Sequence, residues 1–453
     1  MSQIGYFKDI FRRIIRRDFS GNTGIAIQNS FFQFLTSLTA KGGSLLFTII
    51  IARLLMPELF GLYSLALSTI LIFSTFSELG LGPTLVRFLS KELGKNIKSK
   101  KAKSYIAYLG KLRFLLLFSS ILILLISSKF IAQIYYQKPI FLALIAGALY
   151  ILVVGVVSFL ESILHALNSF KNIFYKEVVF QSTRLVIIPL IVLFLLKKST
   201  SNEFILFYMV LGLSISYIFS SIILLVSSNK KLSHLPLEKI KISFLEKKRI
   251  NRFIFPISAI VITTTFYGSI DMVMLGRFVS PEYIGYYRAA ISLIAALTSL
   301  TTFSVVLLPI FSRMKGKQLE RGFTKSISVV FPVSIVLSLF IILFSKIIIH
   351  IIFGGDYAQS VTLLRFFSLM IISISIISIY VSYFTAKGKL LIIARLLVFS
   401  IFINIVLNLL AIFLLRDYGN LFVVYGVTGA TIASSWLYMT GLILSKRRRK
   451  IRH

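Results

Sequence analysis

Cysteine is absent from the 453 residues, which excludes disulfide bridges, thiolate metal sites and thiol nucleophiles. Histidine occurs four times, too scattered to form a zinc cluster. Only 15 acidic residues stand against 50 lysines and arginines, a formal net charge of +35. All charged residues together make up 14% of the chain, where soluble domains carry about 25%. An ordinary water-soluble enzyme is excluded on that ground. What fills the chain instead is apolar: 57% hydrophobic residues, 42 Phe and 20 Tyr, with a mean hydropathy of +0.91.

Apolar stretches separated by short polar breaks run almost from end to end. They predict an all-α polytopic membrane protein of twelve spans: 27–55, 59–86, 112–135, 139–166, 173–196, 203–228, 253–279, 283–311, 327–353, 359–385, 390–415 and 421–444. At about 20 residues per crossing, the length suits one bundle. No cleavable signal peptide is read at the start. Residues 1–26 form a basic amphipathic segment, expected on the cytoplasmic surface. The organisation expected is an N-lobe over 27–228, a basic linker over 229–252, a C-lobe over 253–444 and a basic tail over 445–453.

The cations are distributed by side. The N-terminal segment, the even-to-odd connections and the tail hold 38, including Lys91, Lys101 and the tail from Lys446. The opposite connections hold eight: Arg53, Lys129, Lys138, Lys197, Lys198, Arg277, Lys346 and Arg416. This asymmetry, with an even span count, predicts both termini in the cytoplasm. The positive charge is then topological, with attraction to anionic membrane lipid, and nucleic acid is not the expected partner.

The chain also repeats itself. Arg53-Leu54-Leu55-Met56-Pro57-Glu58-Leu59-Phe60-Gly61-Leu62-Tyr63 returns as Arg277-Phe278-Val279-Ser280-Pro281-Glu282-Tyr283-Ile284-Gly285-Tyr286-Tyr287, 224 residues later, with five identities in eleven positions. Both copies follow an odd-numbered span on the same side. The two six-span lobes are therefore related by a pseudo-two-fold axis along the membrane normal, with a central cleft between them. Within the motif Pro starts a helix, Glu suits its first turn and Gly permits close packing.

Polar residues inside the spans mark the candidate site, because an unpaired charge in hydrocarbon is costly. Asn29, Gln33, Ser37, Lys41, Ser44 and Thr48 share one face of the first span, and Ser64, Ser68, Thr75 and Glu78 one face of the second. The latter four map, 224 residues on, to Arg288, Ser292, Ser299 and Thr302, and the seventh span adds Thr264, Gly268 and Asp271. Matched stripes of this kind predict the walls of a hydrated cavity. Four intramembrane cations, Lys41, Arg184, Arg288 and Arg365, outnumber Asp271 and would attract an anion. A diphosphate fits, since Arg binds its oxygens bidentately and Lys adds a point charge. Serines and threonines would meet sugar hydroxyls. Asp271, Glu161 and Glu78 are the candidates for ion coupling by H+ or Na+. Glu161 and His165, one turn apart, would pair with each other or with a basic loop. No cofactor, metal site or nucleophile–base pair is expected.

These features resemble the polysaccharide-flippase (O-antigen translocase) family of the multidrug/oligosaccharidyl-lipid/polysaccharide exporter superfamily. The resemblance rests on Ala40-Lys41-Gly42-Gly43, on the turn from Ala52 to Tyr63, on Glu78-Leu79-Gly80-Leu81-Gly82-Pro83-Thr84-Leu85-Val86-Arg87, and on Asp271-Met272-Val273-Met274-Leu275-Gly276-Arg277. It implies a two-lobed transporter that moves polyprenyl-diphosphate-linked oligosaccharide across the cytoplasmic membrane by alternating access. A monomer suffices, and polysaccharide polymerase or assembly proteins are implied partners. A cation or drug exporter of the same superfamily stays open as an alternative. So does a membrane-bound polymerase or ligase, although the outer connections are short.

Overall fold

The computed structural model describes residues 21–94, 99–233, 242–301 and 304–450. Most of the basic segment 1–26, the middle of the 229–252 linker and the end of the tail lie outside the described residues. Among the described residues every regular element is helical. In chain order they are α1 (Gly21–Glu78), α2 (Leu81–Leu93), α3 (Lys100–Lys129), α4 (Phe141–Ala166), α5 (Phe170–Lys197), α6 (Asn202–Leu232) and α7 (Phe244–Phe278). The chain continues with α8 (Pro281–Thr301), α9 (Ser304–Arg313), α10 (Gly316–Ile352), α11 (Ser360–Ala386), α12 (Leu390–Leu415) and α13 (Asn420–Lys450). A π-helical turn, Phe130–Tyr136, prolongs α3.

Ten of these segments are long and apolar enough to cross a membrane, and the chain is a multi-pass membrane protein. The first of them holds two crossings. Met56 leaves helical geometry at φ 58°, directly before Pro57, whose ring cannot continue a helix but can begin one. Ser44 and Leu67 would stand about 34 Å apart along an unbroken helix, yet both line one small cavity. The chain therefore doubles back at Met56. With α8 and α9 forming another crossing, twelve spans result.

The apolar cores show how the lobes meet. At the end of the bundle remote from the basic connections, the distal end, one core runs through both lobes. It joins Ile51, Phe60, Leu62 and Leu65 to Leu275, Ile284, Tyr287 and Tyr357. At the basic end the core divides. One part, around Leu81, Leu89 and Tyr105, belongs mainly to the first lobe; the other, around Phe323, Ile379 and Tyr383, belongs to the second. Two lobes fused at one end and parted at the other enclose a central cleft. On one side the basic ends still touch: Ile250 enters the first-lobe core, Lys101 pairs with Glu246 at 3.0 Å, and Ser258 donates to the Leu79 carbonyl at 2.6 Å.

The repeated motif makes the distal junction. A Cβ placed on Gly61 would lie 1.8 Å from the carbonyl oxygen of Pro281, and one on Gly285 would lie 2.1 Å from that of Pro57. Each lobe's glycine thus receives the other lobe's first motif turn, as small-residue crossings in membranes allow. Gly61→Ala is expected to destabilise the protein by about 1–3 kcal/mol through overpacking, despite the better helix propensity of alanine. Thermal unfolding in detergent checks this; an unchanged melting temperature would show that the backbones can part at no cost.

Candidate functional site

Arg184 lies on the buried face of α5, in register with Ile173, Phe180, Ile188 and Val192. Register groups these residues, since positions three, four and seven apart share one side of a helix, and packing buries that side. Its guanidinium enters a cavity of about 80 Å³ lined by Ser44, Thr48, Tyr63, Ser64, Tyr150 and Tyr217 of the first lobe and by Arg288 of the second. Phe47 and Phe180 flank it, with ring centres 4.6 and 5.0 Å from the guanidinium carbon, a cation–π arrangement that offsets part of its desolvation.

Among the described residues the guanidinium makes no ion pair. Its Nε and Nη2 are buried and have no hydrogen-bond partner, and the same holds for Tyr63 Oη and Ser64 Oγ. The nearby carboxylates are committed elsewhere. Lys176 Nζ takes both Glu161, at 2.6 Å, and Glu177, at 3.1 Å, while Gln181 donates to Glu177 at 2.6 Å. Two arginines from opposite lobes therefore line a small space with unsatisfied donors and, among the described lining residues, no acid. Buried polar groups are almost always satisfied, so these atoms are open to an acceptor.

The other anticipated residues are distributed differently. Lys41 is solvent-accessible and stands one turn from Ser44 on the same face of α1, with no hydrogen bond or ion pair among the described residues. Asn29 and Ser37 are half-buried and Gln33 is exposed on that stripe. Arg365 does not join the cavity. It sits on the exterior of the C-lobe beside exposed Phe366 and Leu369, with Nε donating to Ser345 at 2.8 Å. Helix packing turned its face outward, which depth in the sequence could not reveal. Ser68 bonds across the lobes to Met272 Sδ at 3.5 Å, and Thr75 and Ser292 return their hydroxyls to backbone carbonyls. The side chains of Ser299 and Thr302 lie outside the described residues. Glu78 is half-buried. Glu161 pairs with Lys176 rather than with His165, whose ring lies edge-on to Phe170 at 5.0 Å. Lys176, counted from sequence among the connection cations, is thus a buried residue of the first lobe.

Asp271 forms a second constellation. It is buried, and its carboxylate accepts from Tyr287 at 2.7 Å, Thr431 at 2.8 Å and Asn408 at 2.6 Å. Asn408 also donates to Asn404 Oδ1 at 3.3 Å, and its own Oδ1 is buried without a partner. One carboxylate among neutral oxygens, with an acceptor left over, suits a proton or a small hard cation. Sequence reading missed Asn404 and Asn408, though two asparagines one turn apart in the apolar stretch from Ile401 to Leu415 were a visible sign.

The two constellations occupy equivalent places. The motif's offset of 224 carries Phe47 and Tyr63 onto Asp271 and Tyr287, and the offset of 220 between the positive-φ turns at Asn168 and Gly388, which precede α5 and α12, carries Arg184 onto Asn404. Phe47 and Arg184 of one half thus answer to Asp271 and Asn404 of the other.

A comparison with families matches residues 26–315 to the polysaccharide biosynthesis protein family. No curated protein matches the chain. Among solved structures it is similar to the lipid II flippase MurJ in an inward closed conformation, with 16% identity, 93% of this chain and 87% of that one covered, and a TM-score of 0.68. It is also similar to an inward-facing multidrug resistance MATE family transporter of the MOP superfamily, with 14% identity, coverage of 90% and 93%, and a TM-score of 0.66. A third is a MOP superfamily transporter from Pyrococcus furiosus described by the reverse polarity of its binding pocket, with 13% identity, coverage of 94% and 95%, and a TM-score of 0.57. At these identities the likeness is one of fold.

Proposed function

The chain belongs to the polysaccharide biosynthesis protein family, and from that membership we propose a flippase that moves polyprenyl-diphosphate-linked oligosaccharide across the cytoplasmic membrane. The observation that carries this reading is the buried Arg184 guanidinium, two of whose nitrogens lack partners, in a cavity shared with Arg288 of the other lobe. A phosphate group of the substrate supplies the missing acceptors, in the bidentate geometry that arginine favours. Tyr63 and Ser64 add donors, and Lys41 stands one turn along α1 to draw the headgroup inward. Asn29, Gln33, Ser37, Ser44 and Thr48 meet sugar hydroxyls. The polyprenyl tail stays in lipid. Without such a path the charged headgroup would cross bare hydrocarbon, where unpaired charge is strongly disfavoured.

The basic connections and both termini face the cytoplasm in this reading, so the cleft opens inward and its distal end is shut. Asp271, with Tyr287, Asn404, Asn408 and Thr431, takes the coupling proton or sodium ion. Rocking of the lobes about the distal junction then exposes the headgroup on the other side. The chain carries out no bond-making step, and a monomer contains the whole site.

Reconstitution tests it. Proteoliposomes containing the protein are expected to carry labelled polyprenyl-diphosphate oligosaccharide to the opposite leaflet, and cells expressing it to retain cationic dyes as controls do. Dye efflux without lipid movement would overturn the flippase reading in favour of a cation exporter. The cavity argues against that alternative, since a cationic drug would face two uncompensated arginines.

A further inference from the structure

At the distal end each lobe holds the other by the same device. Arg53, the last basic residue before the break in α1, donates from Nε to the carbonyl of Ile352 at 2.8 Å and from Nη2 to that of Ile351. These are terminal carbonyls of α10, in the opposite lobe. Arg277, its counterpart in the repeat, donates from Nη1 to the carbonyls of Ile134 and Tyr135 at 3.2 and 2.7 Å, at the end of the π turn that prolongs α3 in the first lobe. The residue before each arginine closes the loop. Ala52 accepts at its carbonyl from Tyr357 Oη at 2.8 Å, and Gly276 accepts from Lys138 Nζ at 2.6 Å. Tyr357 and Lys138 follow the same two helices whose ends the arginines cap.

The last carbonyls of a helix have no partner within it and carry the negative end of its dipole. Here a guanidinium from the other lobe satisfies them, so the caps exist only while the distal ends are together. Two such caps, related by the pseudo-two-fold axis, surround the reciprocal glycine contacts of Gly61 and Gly285. We propose that Arg53 and Arg277, with Tyr357 and Lys138, form a two-fold latch that holds the distal face shut and must release on both sides for the substrate to leave. Once the lobes part, water can take over the exposed carbonyls, which makes the latch reversible. The arginine of the repeated motif is then a positioning residue for the transport cycle. It acts through the lobe junction and does not touch the substrate cavity. This rests on the alternating-access reading of the preceding subsection.

The absence of cysteine gives a background-free test. Ser64→Cys places one thiol in the cavity wall, and an impermeant maleimide is applied to each membrane face in turn. With the latch intact, labelling is expected only from the basic end. In Arg53→Ala/Arg277→Ala, labelling from the distal face is expected to rise on the order of tenfold as the population shifts, with each single variant in between. Lys138→Gln/Tyr357→Phe, which leaves both arginines in place, is expected to move the same way and decides the matter if the arginine pair does not fold. Asn420→Ala removes a bond of similar length to Ser280 within one lobe and is expected to change nothing. Unchanged distal labelling in the double variants, or an equal rise in the Asn420 control, would overturn the latch. The readout needs no substrate, so a failed transport assay and a failed latch are told apart.

Discussion

Arg184→Ala is expected to cut headgroup translocation by about 100-fold, the loss of two charge-assisted hydrogen bonds to phosphate. The same change is expected to leave the substrate-free protein as stable as before, or more so. A buried guanidinium without a partner acid costs free energy, and its removal relieves that cost while Phe47 and Phe180 can close over the space. A structural arginine would behave in the opposite way, losing stability and function together. Transport in proteoliposomes and thermal unfolding, with and without the labelled lipid, separate the two. Arg184→Lys retains charge but not the planar fork and is expected to fall between. Arg365→Ala, on the exterior, is expected to transport as the parent does. Full translocation by the Arg184→Ala protein would remove the cavity from the substrate's path.

Asp271→Asn is expected to uncouple rather than to silence the protein. The substitution keeps the shape of the side chain among Tyr287, Thr431 and Asn408, but it removes the charge that a proton or a sodium ion would balance. An imposed ion gradient is expected to accelerate the parent on the order of tenfold or more and the variant not at all, while exchange without a gradient persists in both. Running pH and sodium gradients separately identifies the ion. A variant that still answers the gradient would exclude Asp271 from coupling.

In the two half-repeats Arg184 corresponds to Asn404, and Asp271 to Phe47. A duplicated fold has placed a buried arginine in one lobe and a buried carboxylate in the other. Tyr287, which donates to Asp271, immediately precedes Arg288, which lines the cavity of Arg184.

Much of this was readable before any coordinates. Hydropathy located the crossings, because a membrane demands about 20 apolar residues of each. The repeat of Arg53–Tyr63 at 277–287 announced two related lobes. Arg184, Arg288 and Asp271 stood out because charge inside an apolar span needs a reason. Other matters depend on which side of a helix meets a neighbour, and neighbours come from distant parts of the chain. Packing turned Arg365 outward, brought Arg184 to Arg288, and gave Glu161 and Glu177 to Lys176. It likewise made caps for the opposite lobe out of Arg53 and Arg277, which by sequence were only minority charges on the far side. Composition and periodicity determine depth and face along a single helix; the angle at which that face looks, and what it finds there, is settled only when all the helices are packed together.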